Sequence, residues 1–207
     1  MFEHSIKNLY VWDVTWWKPW GNTLAYFPLD NDTSDHSGNW KTLTNTWTKT
    51  TIWYNFTDTS MVSWWLPDVA FFSAWVKNNS ASGNYSCMTP SLEKYTCWYF
   101  NYNSVYGNKF FCVIWSRTRL DWPTNPSQWH NICIGYDWTK MVYWIDGVMQ
   151  TLVNWKWDYV NNDTYLFRKD SGVSASINIS EAIFESVCWT SEEYAEYFTQ
   201  TKSKYWL

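Results

Sequence analysis

Trp129-His130-Asn131-Ile132-Cys133-Ile134-Gly135-Tyr136-Asp137, followed closely by Met141-Val142-Tyr143 and Ile145-Asp146-Gly147-Val148, settles the fold class. Each run is short, dense in aromatic and β-branched residues, and bounded by turn formers, as strands are. Asp146-Gly147 is the dipeptide that closes a two-residue hairpin, because both positions tolerate the positive φ that such a turn needs. Working outward, the same texture recurs along the chain. Strands are expected over 24–27, 49–56, 70–77, 85–88, 95–101, 109–116, 129–136, 140–145, 149–153, 164–167 and 177–185. Clusters of Asn, Asp, Ser and Gly separate them, and no helical period lies between them. That spacing predicts an all-β protein, a sandwich or barrel in place of βαβ units. No internal repeat is evident.

One helix is expected, at the end. Thr190-Ser191-Glu192-Glu193 reads as a capping box, with Thr190 as N-cap and Glu193 reaching back to its amide. Tyr194, Tyr197 and Phe198 then fall on one face, giving an apolar stripe to lay against the sandwich. The helix should fray near Lys202 to Lys204, where cations favour the negative end of its dipole.

Composition narrows the function classes. The chain has 207 residues and a formal net charge of -4, with its 15 Lys and Arg scattered singly, so no nucleic-acid footprint is visible. No apolar run is long enough to cross a bilayer, so membrane insertion is not expected. Met1-Phe2-Glu3-His4-Ser5 shows no basic region followed by an apolar stretch, so no secretory leader is read there. The five cysteines, Cys87, Cys97, Cys112, Cys133 and Cys188, cannot all pair within one chain and show no CxxC spacing. Cys112 and Cys133 sit in apolar runs and are read as small hydrophobes.

Four segments, in order, resemble the bacterial laminin G-like domain of the concanavalin A-like lectin/glucanase superfamily. Leu24-Ala25-Tyr26-Phe27-Pro28-Leu29-Asp30 with Asp35-His36-Ser37-Gly38-Asn39 is similar to the family's opening strand and its Asp-x-Ser-Gly-Asn turn. Phe71-Phe72-Ser73-Ala74-Trp75-Val76-Lys77 is similar to its central strand. The 129–148 stretch resembles its paired strands, and 177–185 with Trp189-Thr190-Ser191-Glu192-Glu193 its final strand and closing helix. The resemblance implies a two-sheet antiparallel jelly-roll β-sandwich over 24–207, with 1–23 as a lead-in. It implies an extracellular, cell-surface or virion module, part of a longer multidomain protein or surface assembly. The leading expectation is a non-catalytic lectin or adhesion module whose partner is a glycan or an extracellular protein. A glycan-cleaving enzyme of the same superfamily and a structural decoration domain are the alternatives.

Against this family pattern the tryptophans look misplaced. There are 20 Trp and only 7 Gly, where about 7% Gly is ordinary. Trp40, Trp138 and Trp206 stand where the family carries glycine, whereas Trp75, Trp129 and Trp189 stand where it carries tryptophan. The expectation is a source that reads UGA as glycine, with UGA printed here as tryptophan; a genuinely tryptophan-rich protein is the other reading. Tryptophan number is therefore no argument for sugar stacking.

Candidate sites are few. Tyr102, Tyr106 and Trp122, in stretches read as loops, are the candidate ligand-binding aromatics. Asp30, Asp32 and Asp35 cluster in a turn-rich loop whose hard oxygens suit Ca²⁺. The resemblance nominates Asp30 and Asp35 with Glu181 as the ligand set. The same aspartates would equally make Asx-turns to nearby amides. For hydrolysis, Glu181 and Glu185 share a strand face, but Ile183 occupies the middle position where the glucanase branch carries an acid, so no catalytic residue is assigned.

Overall fold

The computed structural model of the chain describes residues 22–29, 33–41, 43–44, 47–49, 54–56, 60–62, 69–79, 85–90, 98–103, 109–114, 118–121, 127–136, 141–153, 164–169 and 176–205. These residues form an all-β sandwich of two antiparallel sheets with one C-terminal helix. The first sheet holds β1 (Thr23–Phe27), β3 (Trp47–Lys49), β4 (Tyr54–Phe56), β6 (Phe71–Asn78), β11 (His130–Tyr136), β12 (Met141–Ile145), β13 (Val148–Val153) and β15 (Ile177–Glu185). Its order is β13-β12-β11-β6-β15-β4-β3, and β1 shares the outer edge of β15 with β4. The second sheet runs β10 (Thr118–Asp121), β9 (Lys109–Ile114), β8 (Trp98–Asn103), β7 (Tyr85–Pro90), β14 (Thr164–Lys169), β5 (Ser60–Val62) and β2 (Leu43–Thr44).

The Asp146-Gly147 dipeptide forms the turn expected of it. Both residues have positive φ, 49° and 83°, and β12 pairs with β13 from Ile145↔Val148 onward. Asp146 also anchors the neighbouring strand. Its Oδ1 accepts the Asn131 amide at 2.9 Å, and its own amide donates to the Asn131 carbonyl at 3.0 Å.

One expected strand divides in two. Of the 49–56 run, Lys49 closes β3 and Tyr54–Phe56 form β4, and the two strands pair antiparallel, with Trp47 opposite Phe56. The short strands β2, β5 and β10 were not foreseen, since two to four residues carry too little alternation to read.

Alternation along the first sheet separates two buried layers. Ala25, Phe27, Phe72, Ala74, Val76, Ile132, Ile134, Ile179 and Phe184 form the apolar face turned away from the helix, each 0% exposed. Phe72 meets Phe184 across the β6–β15 pair with ring centroids 4.9 Å apart. The opposite face carries Tyr26, Phe71, Trp75, Cys133, Val142, Trp144 and Ile183, and the chain end covers it.

That cover is α1 (Ser191–Thr201) and a 3-10 turn over Lys202–Tyr205. The capping box is present in both directions: the Glu193 amide donates to Thr190 Oγ1 at 3.2 Å, and the Thr190 amide to Glu193 Oε2 at 2.7 Å. Tyr194 and Tyr197 are buried against the sheet, and Trp189 stacks on Phe71 at 4.3 Å. The expected fraying at Lys202 to Lys204 is instead the tighter 3-10 turn. Tyr205 explains it: its ring stacks on Trp75 at 4.1 Å and meets Trp129 at 5.0 Å, so the tail is packed.

Candidate functional site

Two of the described acids, Glu181 and Glu185, lie on the sheet face that the chain end covers. In β15 the pairing with β6 runs to Ser180↔Trp75 and resumes at Ile183↔Ser73, a bulge that holds Glu181 at φ 51°. Through it Ser180 and Glu181, adjacent in sequence, both reach the covered side. The Glu181 amide and the Ser180 hydroxyl both donate to the Pro28 carbonyl, at 2.8 and 3.1 Å. The Glu181 carboxylate forms an ion pair with Lys204 Nζ at 2.7 Å and accepts the Tyr197 hydroxyl at 3.1 Å. Tyr205 donates its hydroxyl to Ser180 Oγ at 2.8 Å. Burial, and then the Glu181 charge, push the Tyr197 phenol well above its ordinary value, so it stays a donor.

Glu185 sits one turn of the pleat further on and is 1% exposed. Its Oε1 accepts the Thr23 hydroxyl at 2.6 Å. Burial raises its carboxyl from 4.5 to about 7, with the Thr23 bond opposing and the Glu193 charge adding to the rise. Glu181 and Glu185 thus share a face, as their spacing implies, but it is the face roofed by α1 and Tyr205.

Asp35 organises the loop after β1. Its Oδ1 accepts the amides of Tyr26 and Ser37, at 2.9 and 2.8 Å. Its Oδ2 accepts the Ser37 hydroxyl and the Lys41 amide, at 2.8 and 2.9 Å. A carboxylate has about four lone-pair sites, and four donors fill them. The side-chain amide of Asn39 donates back to the Thr23 and Leu24 carbonyls, at 2.7 and 3.2 Å.

Of the calcium set expected from sequence, Asp35 and Glu181 are described, and each already has partners. Asp35 is saturated by N–H and O–H donors, and Glu181 is neutralised by Lys204. Among the described residues no group of three or more His, Cys, Asp or Glu is placed to hold a metal ion. Asp30 and Asp32 lie outside the described residues. So do Tyr106 and Trp122. Tyr102, read from sequence as a loop residue, lies in strand β8, opposite Tyr85 of β7 and Phe110 of β9.

Two polar arrangements escaped the sequence reading. His130, 4% exposed, places Nδ1 2.7 Å from Asp146 Oδ2. Lys204 belongs to a segment read only as a fraying end. The first had a signal, an Asp-Gly turn whose aspartate must bond something nearby; the second had none. Cys133 is buried and Cys188 half-buried. Burial, and then Cys188, push the Cys133 thiol up, as suits a residue packed as a small hydrophobe.

Fold and site together define an all-β sandwich in which Glu181 ties the C-terminal segment to strand β15. No family model matches the chain, and no curated protein matches it. Solved structures do. The receptor-binding domain of botulinum neurotoxin D is similar at a TM-score of 0.70 and 11% identity, covering 87% of this chain and 53% of that one. The binding domain of botulinum neurotoxin DC, solved with rat synaptotagmin II, gives 0.68 and 12%, covering 86% and 51%. A botulinum neurotoxin type C structure, whose report ties cell entry to two ganglioside molecules, gives 0.68 and 12%, covering 86% and 51%. The chain spans about half the length of each, and at such identity the likeness is one of fold.

Proposed function

We propose that the chain is a non-catalytic recognition module that acts outside the cell and holds a glycan or protein ligand on the loops or open sheet face of its sandwich. One observation carries this reading: the two acids of β15 that a sandwich hydrolase would need in a cleft are buried under α1, one ion-paired with Lys204 and the other bonded to Thr23. Hydrolysis needs a general acid and its partner on either side of the substrate, and an acid beneath a packed helix reaches none. The fold neighbours lend support, being receptor-binding domains solved in connection with gangliosides and synaptotagmin. Each is about twice as long as the stretch matched here, which agrees with a module of a larger assembly.

A glycan array carrying sialylated and neutral oligosaccharides, with ganglioside-containing and ganglioside-free vesicles and a panel of extracellular receptor domains alongside, tests the proposal. Saturable retention on one of these is expected. Absence of retention on all of them contradicts recognition and leaves the structural-decoration alternative.

A further inference from the structure

We infer that residue 40 is a glycine in the protein its source makes, through a UGA codon read there as glycine. Among the described residues four non-glycine positions have positive φ: Leu29, Trp40, Asp146 and Glu181. In that region the Cβ of an L-residue crowds the backbone, so something must offset the strain. Leu29 is 0% exposed and gains by burial. Asp146 is of the type that tolerates this region, and its carboxylate holds His130 and the Asn131 amide. Glu181 is held by Lys204, Tyr197 and the Pro28 carbonyl. Trp40 has no such offset. It is 90% exposed and makes no hydrogen bond or ring contact with another described residue.

The left-handed turn at residue 40 cannot simply relax. It aims the next amide, that of Lys41, at Asp35 Oδ2, the bond that closes the loop. Gly38, two residues earlier, has φ 87° with open space where a Cβ would stand. The loop thus needs two left-handed residues, and glycine adopts that region without steric cost.

The other tryptophans whose side chains are described behave in the opposite way. Trp75, Trp129, Trp144 and Trp189 are between 0% and 6% exposed. Trp75 stacks between Tyr205 and Phe198 and donates Nε1–H to Thr201 Oγ1 at 3.2 Å. Of the five tryptophans whose side chains are described, four are packed in the core and Trp40 stands exposed at positive φ, in a slot that suits glycine. With glycine at residue 40 the loop offers main-chain groups in place of an exposed indole.

The gene and the native protein test this. Codon 40 should be UGA and codon 75 UGG. Peptide sequencing by mass spectrometry of protein from its source should give glycine at residue 40 and tryptophan at residue 75. UGG at codon 40, or tryptophan in that peptide, overturns the inference. A recombinant series supplies an independent readout. Trp40→Gly should raise the melting temperature of the full chain by about 2–4 °C, whereas Trp40→Ala, which keeps a Cβ, should not. Equal effects of the two substitutions, or a lower melting temperature for Trp40→Gly, would show that the slot does not select glycine.

Discussion

Glu185 is an acid that the fold keeps out of water, and replacing it with glutamine should reverse part of the protein's response to pH. The carboxyl is 1% exposed, bonded to Thr23, and raised from 4.5 to about 7 by burial. In the unfolded chain it ionises at its ordinary value. The folded state therefore binds this proton more tightly, and ionisation above pH 4.5 favours unfolding. The group's effect is nil below about pH 4.5, grows more destabilising as pH rises to about 7, and is level beyond. At about 1.4 kcal/mol per unit, the shift corresponds to about 3 kcal/mol of lost stability at alkaline pH. Glutamine keeps an acceptor for the Thr23 hydroxyl and has no such proton to lose. Glu185→Gln should match the parent near pH 4.5 and exceed its stability by about 2–3 kcal/mol at pH 8. Urea unfolding of both proteins at the two pH values, followed by circular dichroism, reads this as a difference of differences in which every other titrating group cancels. Identical pH dependence in the two proteins, or a parent that gains on the variant as pH rises, would refute the reasoning.

Other substitutions test the packing of the chain end. Lys204→Met leaves the Glu181 carboxylate buried beside Tyr197 without its cation; a loss of about 3 kcal/mol is expected in urea unfolding, with partial recovery in Lys204→Met/Glu181→Gln. Gly135→Ala would drive a Cβ into Cys188 Sγ, and to 3.2 and 3.3 Å from Val142 and Trp144. It should cost about 1–3 kcal/mol, and adding Cys188→Ala should restore most of it if the thiol is what blocks the site. Thr190→Ala removes the hydroxyl that accepts the Glu193 amide and should cost about 1 kcal/mol, with faster amide exchange confined to the first turn of α1.

Local chemistry was legible wherever one residue type has few alternatives. Asp146-Gly147 gave away its hairpin because positive φ at two successive positions is cheap for few pairs. Thr190 and Glu193 gave away the helix start because each satisfies the other's amide. Strand β15 was legible in full, Ile177 to Glu185. Its bulge was not, although Ser180-Glu181 breaks the alternation there, because an adjacent polar pair does not by itself say which of the two turns inward. The covered face was missed for a related reason. Thr23, Ser73, Asn131, Ser180, Glu181 and Glu185 are polar positions within largely apolar strands, which reads as a solvent face. They are buried instead, because α1 and Tyr205 return over them from far along the chain. The partners of Asp35 and Glu181 were hidden at the same point: the sequence places both among candidate calcium ligands, and only the fold shows the donors they accept.

Saturation-transfer NMR on an oligosaccharide that the array retains, mixed with the full chain and with the anomeric signals followed over days, reads recognition and turnover in one tube. The account predicts transfer to the sugar protons with every anomeric resonance unchanged. New reducing-end signals that grow with time, and that vanish in Glu185→Gln or Glu181→Gln, would contradict the claim that the two β15 acids are structural and that the protein binds without cutting.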